Sequence, residues 1–378
     1  MQYASRTLPD RRQDEMTDSE QGIREIRINP IVPTESVLVA TARSMRPRKA
    51  EEPAPRDTRR RVDTCPFCPG NEHMTPPTIL ALPDEAHWEV RIVENLYPVL
   101  GDDRETNTLV LGLQQAIDGY GRHEVIIDHN IHGIALHEMS VDHITLMLEA
   151  YRTRMAQLYE ADDRLKYVLV FKNFGPAAGA SIPHTHSQII AMPVVPENVH
   201  NEVAHSRNHY RKHHKCIFCS LIDEALTFEA TIYDRASGRV RRRIDVGQYV
   251  IERGERFIAI KPFASRYEWE VHILPLDHQS DFLDIGDEDR RDMARVLKRT
   301  MARLDAVVGG VQYNYFFHSR PRGEEYEDCD PSYHWHLEIC PRTSIPTGFE
   351  LGSGLFVNTV SPEEAAERLR SVNLDDMD

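Results

Sequence analysis

A surplus of positive charge is missing from this sequence. Lys and Arg number 45 against 60 Asp and Glu, a formal charge of −15 with a pI near 5.7. That balance argues against a general nucleic-acid binder and leaves any anion to be held by local basic groups. Also missing is an apolar run of the roughly 18–20 residues that a membrane span needs. The opening stretch, MQYASRTLPDRRQDEMTDSEQ, lacks the apolar core of a signal peptide. The expectation is a cytoplasmic protein without membrane or nucleic-acid partners. Cysteine is scarce as well, six in 378 residues, too few for a disulfide framework in a chain of this length.

Four of those six cysteines form two CxxC pairs, Cys65-Pro-Phe-Cys68 and Cys216-Ile-Phe-Cys219. In a long cytosolic chain such pairs more often bind zinc than form disulfides, with a redox pair or two buried thiols as the alternatives. The pairs open a duplication. The run His123-EVIIDHNI-His132 matches Trp269-EVHILPLD-His278 over its whole length, and His184-Thr-His186-Ser-Gln188 matches His334-Trp-His336-Leu-Glu338. Three landmarks in one order, at similar intervals, read as two copies of one unit.

Apolar residues at helical spacing lie between the second and third landmarks of each copy. They are Ile144, Met147, Leu148, Tyr151, Met155 and Leu158 in the first, and Met293, Val296, Leu297 and Leu304 in the second. Both stripes read as core. Runs rich in β-branched and aromatic residues at Tyr167 to Phe171, Phe257 to Ile260, Glu270 to Leu274 and Tyr313 to Phe317 read as strands. The fold class is α+β, mainly antiparallel sheet with helices on one face. Ser361-Pro-Glu-Glu364 starts a short terminal helix. Residues 1–24 read as a disordered tail, and Pro47 to Asp63 as a surface loop without fixed structure. A polar, histidine-bearing stretch from Val194 to Lys215 reads as the interdomain connection, so the domains are set at 25–200 and 201–378.

Zinc asks for four soft or borderline ligands in a tetrahedron, and a CxxC knuckle supplies two on one turn. The duplication selects the rest from 19 histidines. The sets are Cys65, Cys68, His132 and His184, then Cys216, Cys219, His278 and His334. His123, His129, His137 and His143 lack matched equivalents and read as surface or hydrogen-bonded core residues. With four protein ligands neither of the two zinc ions keeps an open position, so both are structural.

Catalysis then falls to His186. In a strand, residues two apart share a face, so His184 and His186 are neighbours and ligation of one helps fix the other. A neutral imidazole can attack phosphorus, forming a phosphoramidate labile enough to pass on. Gln188, two residues further on the same face, can donate to a phosphate oxygen as charge builds. The small residues Gly175 to Ser181, with Gly179 and the Ser181 hydroxyl, let backbone and side chain approach a phosphate. The second copy has Glu338 where the first has Gln188, and a carboxylate repels phosphate. It is read as a catalytically silent copy.

These residues resemble the galactose-1-phosphate uridylyltransferase family of the histidine-triad superfamily, above all its two-zinc branch that includes ADP-glucose phosphorylase. The matching pieces are Val37-Leu-Val-Ala-Thr-Ala-Arg43-Ser-Met-Arg46-Pro, Cys65-Pro-Phe-Cys-Pro-Gly-Asn71, Arg91-Ile-Val-Glu-Asn95-Leu-Tyr-Pro, Phe171-Lys-Asn173 and Gly348-Phe-Glu350-Leu-Gly-Ser-Gly. The resemblance implies two tandem histidine-triad-like units, ping-pong transfer of UMP or AMP through a nucleotidylated His186, and a homodimer with a shared site. It implies that Arg43 and Arg46 bind nucleotide phosphates, that Asn95 and Asn173 hold the nucleotide, and that Ser181 and Gln188 contact the transferred phosphate. Phe349 and Glu350 match the hexose-contacting segment. Two departures stand out: Thr185 lies between the histidines where the uridylyltransferase pattern usually has proline, and Ser344 stands where lysine is common.

The leading function is transfer of a nucleotide from a nucleotide sugar to a sugar 1-phosphate or to phosphate. A diadenosine polyphosphate or adenylyl-sulfate phosphorylase would use the same histidine. A zinc-stabilised nucleotide-binding protein without turnover is the alternative from another class.

Overall fold

The computed structural model of the chain describes residues 22–45, 56–103 and 105–374. The expected tail up to residue 21, Arg46 and the first part of the charged loop lie outside the described residues. An arm opens the described chain with β1 (Arg24–Ile28) and β2 (Ser36–Ala40). The first half follows as β3 (Thr78–Leu82), β4 (Val90–Glu94), a hairpin of β5 (Thr108–Leu111) and β6 (Gln114–Ile117), and β7 (Arg122–Ile127). It ends with α1 (Val141–Ala161), β8 (Tyr167–Phe174) and β9 (His186–Met192). Helices α2 (Glu197–His213) and α3 (Ile217–Thr227) lead through the hairpin β10 (Glu229–Tyr233) and β11 (Val240–Asp245) to the second half. That half is β12 (Val250–Arg253), β13 (Phe257–Ile260), β14 (Val271–Pro275), α4 (Asp287–Val308), β15 (Tyr313–His318) and β16 (His336–Pro341). The short α5 (Gly348–Ser353), β17 (Phe356–Asn358) and α6 (Pro362–Arg370) close the chain.

Ten strands share one sheet, in the order β12-β13-β14-β16-β15-β8-β9-β7-β4-β3. Every pairing in it is antiparallel, including the seam where β15 of the second half meets β8 of the first. The stripes that predict two helices are α1 and α4, which pack on each other and bury all their named apolar residues against one face of the sheet. Ser140 caps α1 by accepting from the backbone N–H of His143 at 3.1 Å, and Ser361 caps α6 by accepting from Glu364 at 3.2 Å. β2 of the arm pairs antiparallel with β1 and parallel with β17.

The stretch read as the interdomain connection is largely the helix α2, and the boundary set at 200/201 falls inside it. Val199, Glu202, Val203 and Ser206 are its buried face, at the spacing of a helical stripe.

The ten-residue match between the halves is also one residue out of register. Across the ladder Val125 pairs with Gln188, whereas His272 pairs with Glu338. Since Gln188 and Glu338 are equivalent, so are Val125 and His272, and Glu270 therefore occupies the place of His123. A one-residue slip exchanges the faces of a strand. Glu124 accordingly points to the helix side, where Arg154 of α1 reaches it at 2.6 Å, while Glu270 bonds His272 at 3.0 Å on the opposite side. The loops before His132 and His278 absorb the difference.

Candidate functional site

Each CxxC knuckle meets its expected histidines. Cys65 Sγ lies 3.6 Å from His184 Nδ1, and Cys68 Sγ lies 3.6 Å from both His132 Nδ1 and His184 Nδ1. In the second half Cys219 Sγ is 3.4 Å from His278 Nδ1 and 3.5 Å from His334 Nδ1, with Cys216 in the same group. A tetrahedral zinc with Zn–S of about 2.3 Å and Zn–N of about 2.05 Å requires S···N separations of about 3.6 Å. The donor sets fit.

The ring nitrogens turned away from the sulfurs are satisfied too. His184 Nε2 donates to the His129 carbonyl at 2.7 Å and His132 Nε2 to Asp57 at 3.2 Å. His278 Nε2 donates to the Asp330 carbonyl at 2.7 Å and His334 Nε2 to the Pro275 carbonyl at 3.0 Å. This outer shell fixes the tautomer that leaves each Nδ1 lone pair for a metal. Burial pushes the Cys65 thiol up to about 11, so the thiolate form needs a cation beside it. Asp57 lies in the segment read as a surface loop, and from residue 56 onward that segment is described and packs under the first site. Nothing in its charge-rich sequence marks Asp57 out.

The phenylalanine inside each knuckle has a role that the CxxC spacing alone conceals. Phe67 meets the His186 ring edge-on at 5.3 Å between centroids, and Phe218 meets His336 at 5.1 Å. Each knuckle thereby braces the histidine that follows its ligand.

His186 begins β9, 9% exposed. Its Nδ1 donates to the His184 carbonyl at 2.8 Å, leaving the Nε2 lone pair free. Burial lowers its pKa, which keeps the ring neutral and nucleophilic near pH 7. On the helix side, beneath the strand, Lys172 donates to Asp128 at 2.5 Å, to Thr185 Oγ1 at 2.7 Å and to the His186 carbonyl at 3.0 Å. Asp128 also accepts from Tyr151 and Ser187, each at 2.8 Å. A lysine on the buried side of an alternating strand, after Val168 and Val170, is the signal that betrays this network.

Gln188 lies on the His186 side of the strand, with Oε1 2.8 Å from His123 Nε2. Asn95 Nδ2 is 3.1 Å from the same nitrogen. Asn173, at the seam, accepts from Asn314 Nδ2 at 2.7 Å. Gly179 has φ +86°, a conformation that side chains strain to adopt. Ser181 is exposed on the loop that leads into β9. Of the other unmatched histidines, His129 stacks on His143 at 3.7 Å, and His143 bonds the Asp128 carbonyl at 2.7 Å.

Arg43, Phe349 and Glu350 are elsewhere. Arg43 follows β2 on the arm, and Glu350 accepts from the Thr347 N–H and Oγ1, each at 2.8 Å, at the start of α5. The arm is pinned by Arg27, which bonds Glu363 at 2.9 Å and stacks 4.4 Å over Phe263 just after β13. From β13 to β9 is five strand steps, about 24 Å at the usual interstrand spacing.

A cavity of about 450 Å³ lies between this arm and the second half. Ile31, Val37, Phe263 and Phe356 wall it, and Glu270 and Glu338 line its polar end. His336 there bonds the His334 carbonyl as His186 bonds that of His184, but Glu338 stands 3.6 Å from its Nε2. Glu202 lies 4.0 Å from the same nitrogen, so carboxylates occupy the space beside His336 Nε2 that a phosphate would need.

Residues 13–196 match the family model described as galactose-1-phosphate uridyl transferase, N-terminal domain, and residues 120–376 match a domain of unknown function, DUF4921. An ADP-glucose phosphorylase of Arabidopsis thaliana is 32% identical over 353 residues, 93% of each chain. A galactose-1-phosphate uridylyltransferase of Thermotoga maritima is 30% identical over 359 residues, 93% of this chain and 99% of that one. The crystal structure of an Arabidopsis ADP-glucose phosphorylase with bound ADP-glucose superposes with a TM-score of 0.77 at 30% identity, covering 93% of this chain and 99% of that one.

Proposed function

The chain belongs to the galactose-1-phosphate uridylyltransferase family, and from that premise we propose that it moves a nucleoside monophosphate from a nucleotide sugar through His186 to a sugar 1-phosphate or to phosphate. The observation that carries this is the Nδ1–H bond from His186 to the His184 carbonyl, which fixes the nucleophilic tautomer. His186 Nε2 attacks the α-phosphorus, the N–P bond forms, and the bond to the bridging oxygen breaks. Sugar 1-phosphate leaves as an anion and needs no proton. The imidazolium-like adduct keeps its Nδ1 proton on the His184 carbonyl until the acceptor's oxygen attacks phosphorus and expels the ring. Gln188 and Ser181 donate to the phosphate oxygens as charge builds, Gly179 lets the backbone approach them, and Asn95 and Asn173 hold the nucleoside.

Two zinc ions, one in each set of two cysteines and two histidines, are structural and brace the strands that carry His186 and His336. The half that ends with β9 is the catalytic unit, and the half from β12 to β16 the silent one. Arg43 sits on an arm anchored about 24 Å from β9, and Phe349 and Glu350 lie on α5, just before the strand β17 that pairs with that arm, which supports a homodimer whose two-fold axis carries the arm of one chain to the His186 of its partner. Arg46 belongs to the same phosphate-binding group. No described helix is long and apolar enough to cross a membrane. Two CxxC zinc sets, which need their cysteines as thiolates, support a reducing compartment, the cytoplasm.

The test incubates the protein separately with ADP-glucose, UDP-glucose, diadenosine tetraphosphate and adenylyl sulfate, without acceptor, and reads intact mass. An added AMP or UMP on His186 is expected. A fully zinc-loaded protein that takes no adduct from any donor sinks the covalent mechanism.

A further inference from the structure

The contacts around His123 bear on how Gln188 is aimed. Gln188 can serve a phosphate only if its amide nitrogen faces the substrate, since its oxygen would repel it. An amide free to turn presents either end. In this chain the choice is made by a chain of hydrogen bonds that begins at a group unable to turn. The backbone N–H of Val99 lies 3.2 Å from His123 Nδ1. A backbone N–H only donates, so Nδ1 accepts and the ring proton of the neutral imidazole sits on Nε2.

Two side-chain atoms approach that proton. One is Asn95 Nδ2 at 3.1 Å. The Asn95 amide is itself oriented, because its Oδ1 accepts from the Tyr97 N–H at 2.9 Å, so the nitrogen it shows to His123 is a donor and cannot take the proton. The other is Gln188 Oε1 at 2.8 Å, and it does. With its oxygen held by His123, Gln188 turns its amide N–H groups toward the site.

We infer that His123 is a positioning residue for nucleotidyl transfer: its fixed tautomer sets the amide of Gln188, and one loop, Asn95 to Val99, orients both. The inference rests on the reading that His186 is nucleotidylated. The silent half supports it by contrast. There the register places Glu270 where His123 stands and Glu338 where Gln188 stands. The substitution removes both the donor that orients and the amide that is oriented.

The test is a double-mutant cycle. His123→Leu and His123→Gln are each made in wild-type and Gln188→Ala backgrounds, with zinc content checked in all. The rate of adduct formation from ADP-glucose and UDP-glucose is read by rapid quench and intact mass. Leucine removes the donor, whereas glutamine can restore one near the Nε2 position. His123→Leu is expected to slow adduct formation about 10- to 100-fold, mainly in kcat rather than KM, and His123→Gln to recover most of the loss. In the Gln188→Ala background His123→Leu should add less than about 3-fold, since a residue acting only through another has nothing left to orient. Equal losses in both backgrounds, or a glutamine variant no better than leucine, overturn the inference.

If the wild-type protein forms no adduct, the nucleotidyl-transfer reading has failed. The orientation is then still read from the Gln188 side-chain signal of protein labelled with 15N-glutamine. A sharp signal in wild type and His123→Gln that is broadened in His123→Leu supports the positioning. The same signal in all three overturns it.

Discussion

Lys172 and Asp128 form an ion pair at 2.5 Å that solvent does not reach, with side chains 1% and 0% exposed. The pair lies directly under the strand that carries His186, and the lysine spends its other protons on Thr185 and the His186 carbonyl. Burial lowers the Lys172 pKa in spite of the carboxylate beside it. Where the family pattern stiffens the segment between the histidines with proline, this chain ties down Thr185 from below.

Replacing one partner therefore leaves an uncompensated buried charge. Lys172→Met is expected to destabilise the fold by about 3–5 kcal/mol in denaturant unfolding. Combining it with Asp128→Leu should recover much of the stability, because no charge is stranded. It should not recover the rate of adduct formation, because Thr185 and the His186 carbonyl remain untied. A double variant of full activity would show the clasp to be dispensable for the chemistry.

Loaded with zinc, the two cysteine–histidine sets should release metal at different rates. All four ligands of the first are buried, whereas His278 of the second is exposed and Cys219 partly so. A chelator with a colorimetric readout should withdraw one equivalent quickly, from the second site, and one slowly. Cys219→Ala should abolish the fast phase, and Cys68→Ala should abolish the slow phase together with activity. A single phase would contradict the difference in access.

The histidines of the two halves should behave oppositely. His186→Ala is expected to abolish the nucleotide adduct, and His336→Gln to retain it. An adduct lost equally in both variants would mean that the second half is not silent.

Much of this site is legible in the amino-acid sequence because metal chemistry imposes spacing. A knuckle places two sulfurs on one turn, and a strand turns alternate residues to one face, so Cys65, Cys68, His184 and His186 announce themselves. Helical stripes announce α1 and α4 for a similar reason. The stripe of α2 hides among histidines and arginines, whose charge suggests a solvated connection. Strand register is less visible still. The identical Glu-Val at positions 124–125 and 270–271 invites an ungapped match, and only cross-strand pairing shows that the two glutamates face opposite sides. Asp57, His123 and Asp128 act through partners far away in the chain, and no local pattern encodes them.

The arm should respond to the loss of one carboxylate. Glu363 bonds Arg27 of β1 at 2.9 Å and Tyr249 at 2.7 Å. Burial opposes its charge, but these partners together hold its pKa below the ordinary value. A depressed folded-state pKa stabilises the fold above the unfolded value and ceases to as pH falls through the folded one. Glu363→Gln should therefore cost about 1–3 kcal/mol at pH 7. The gap between wild type and variant in thermal unfolding should close below about pH 4.3. A gap that is constant from pH 7 to 3 would rule out the carboxylate as its source.

The seam of the sheet constrains how the molecule can move. β8 and β15 pair residue for residue from Phe171 with Phe316 to Phe174 with Tyr313, and Asn314 adds side-chain bonds across it to Asn173 and the Ala178 carbonyl. A clamshell opening between the halves would break this ladder and expose its amides all at once. Substrate entry and product escape are then left to pieces that hang from the sheet, in the proposed dimer the arm of the partner, while the ten strands serve as an unyielding chassis. In a two-fold pair, traffic at one nucleophile would be controlled by the other chain.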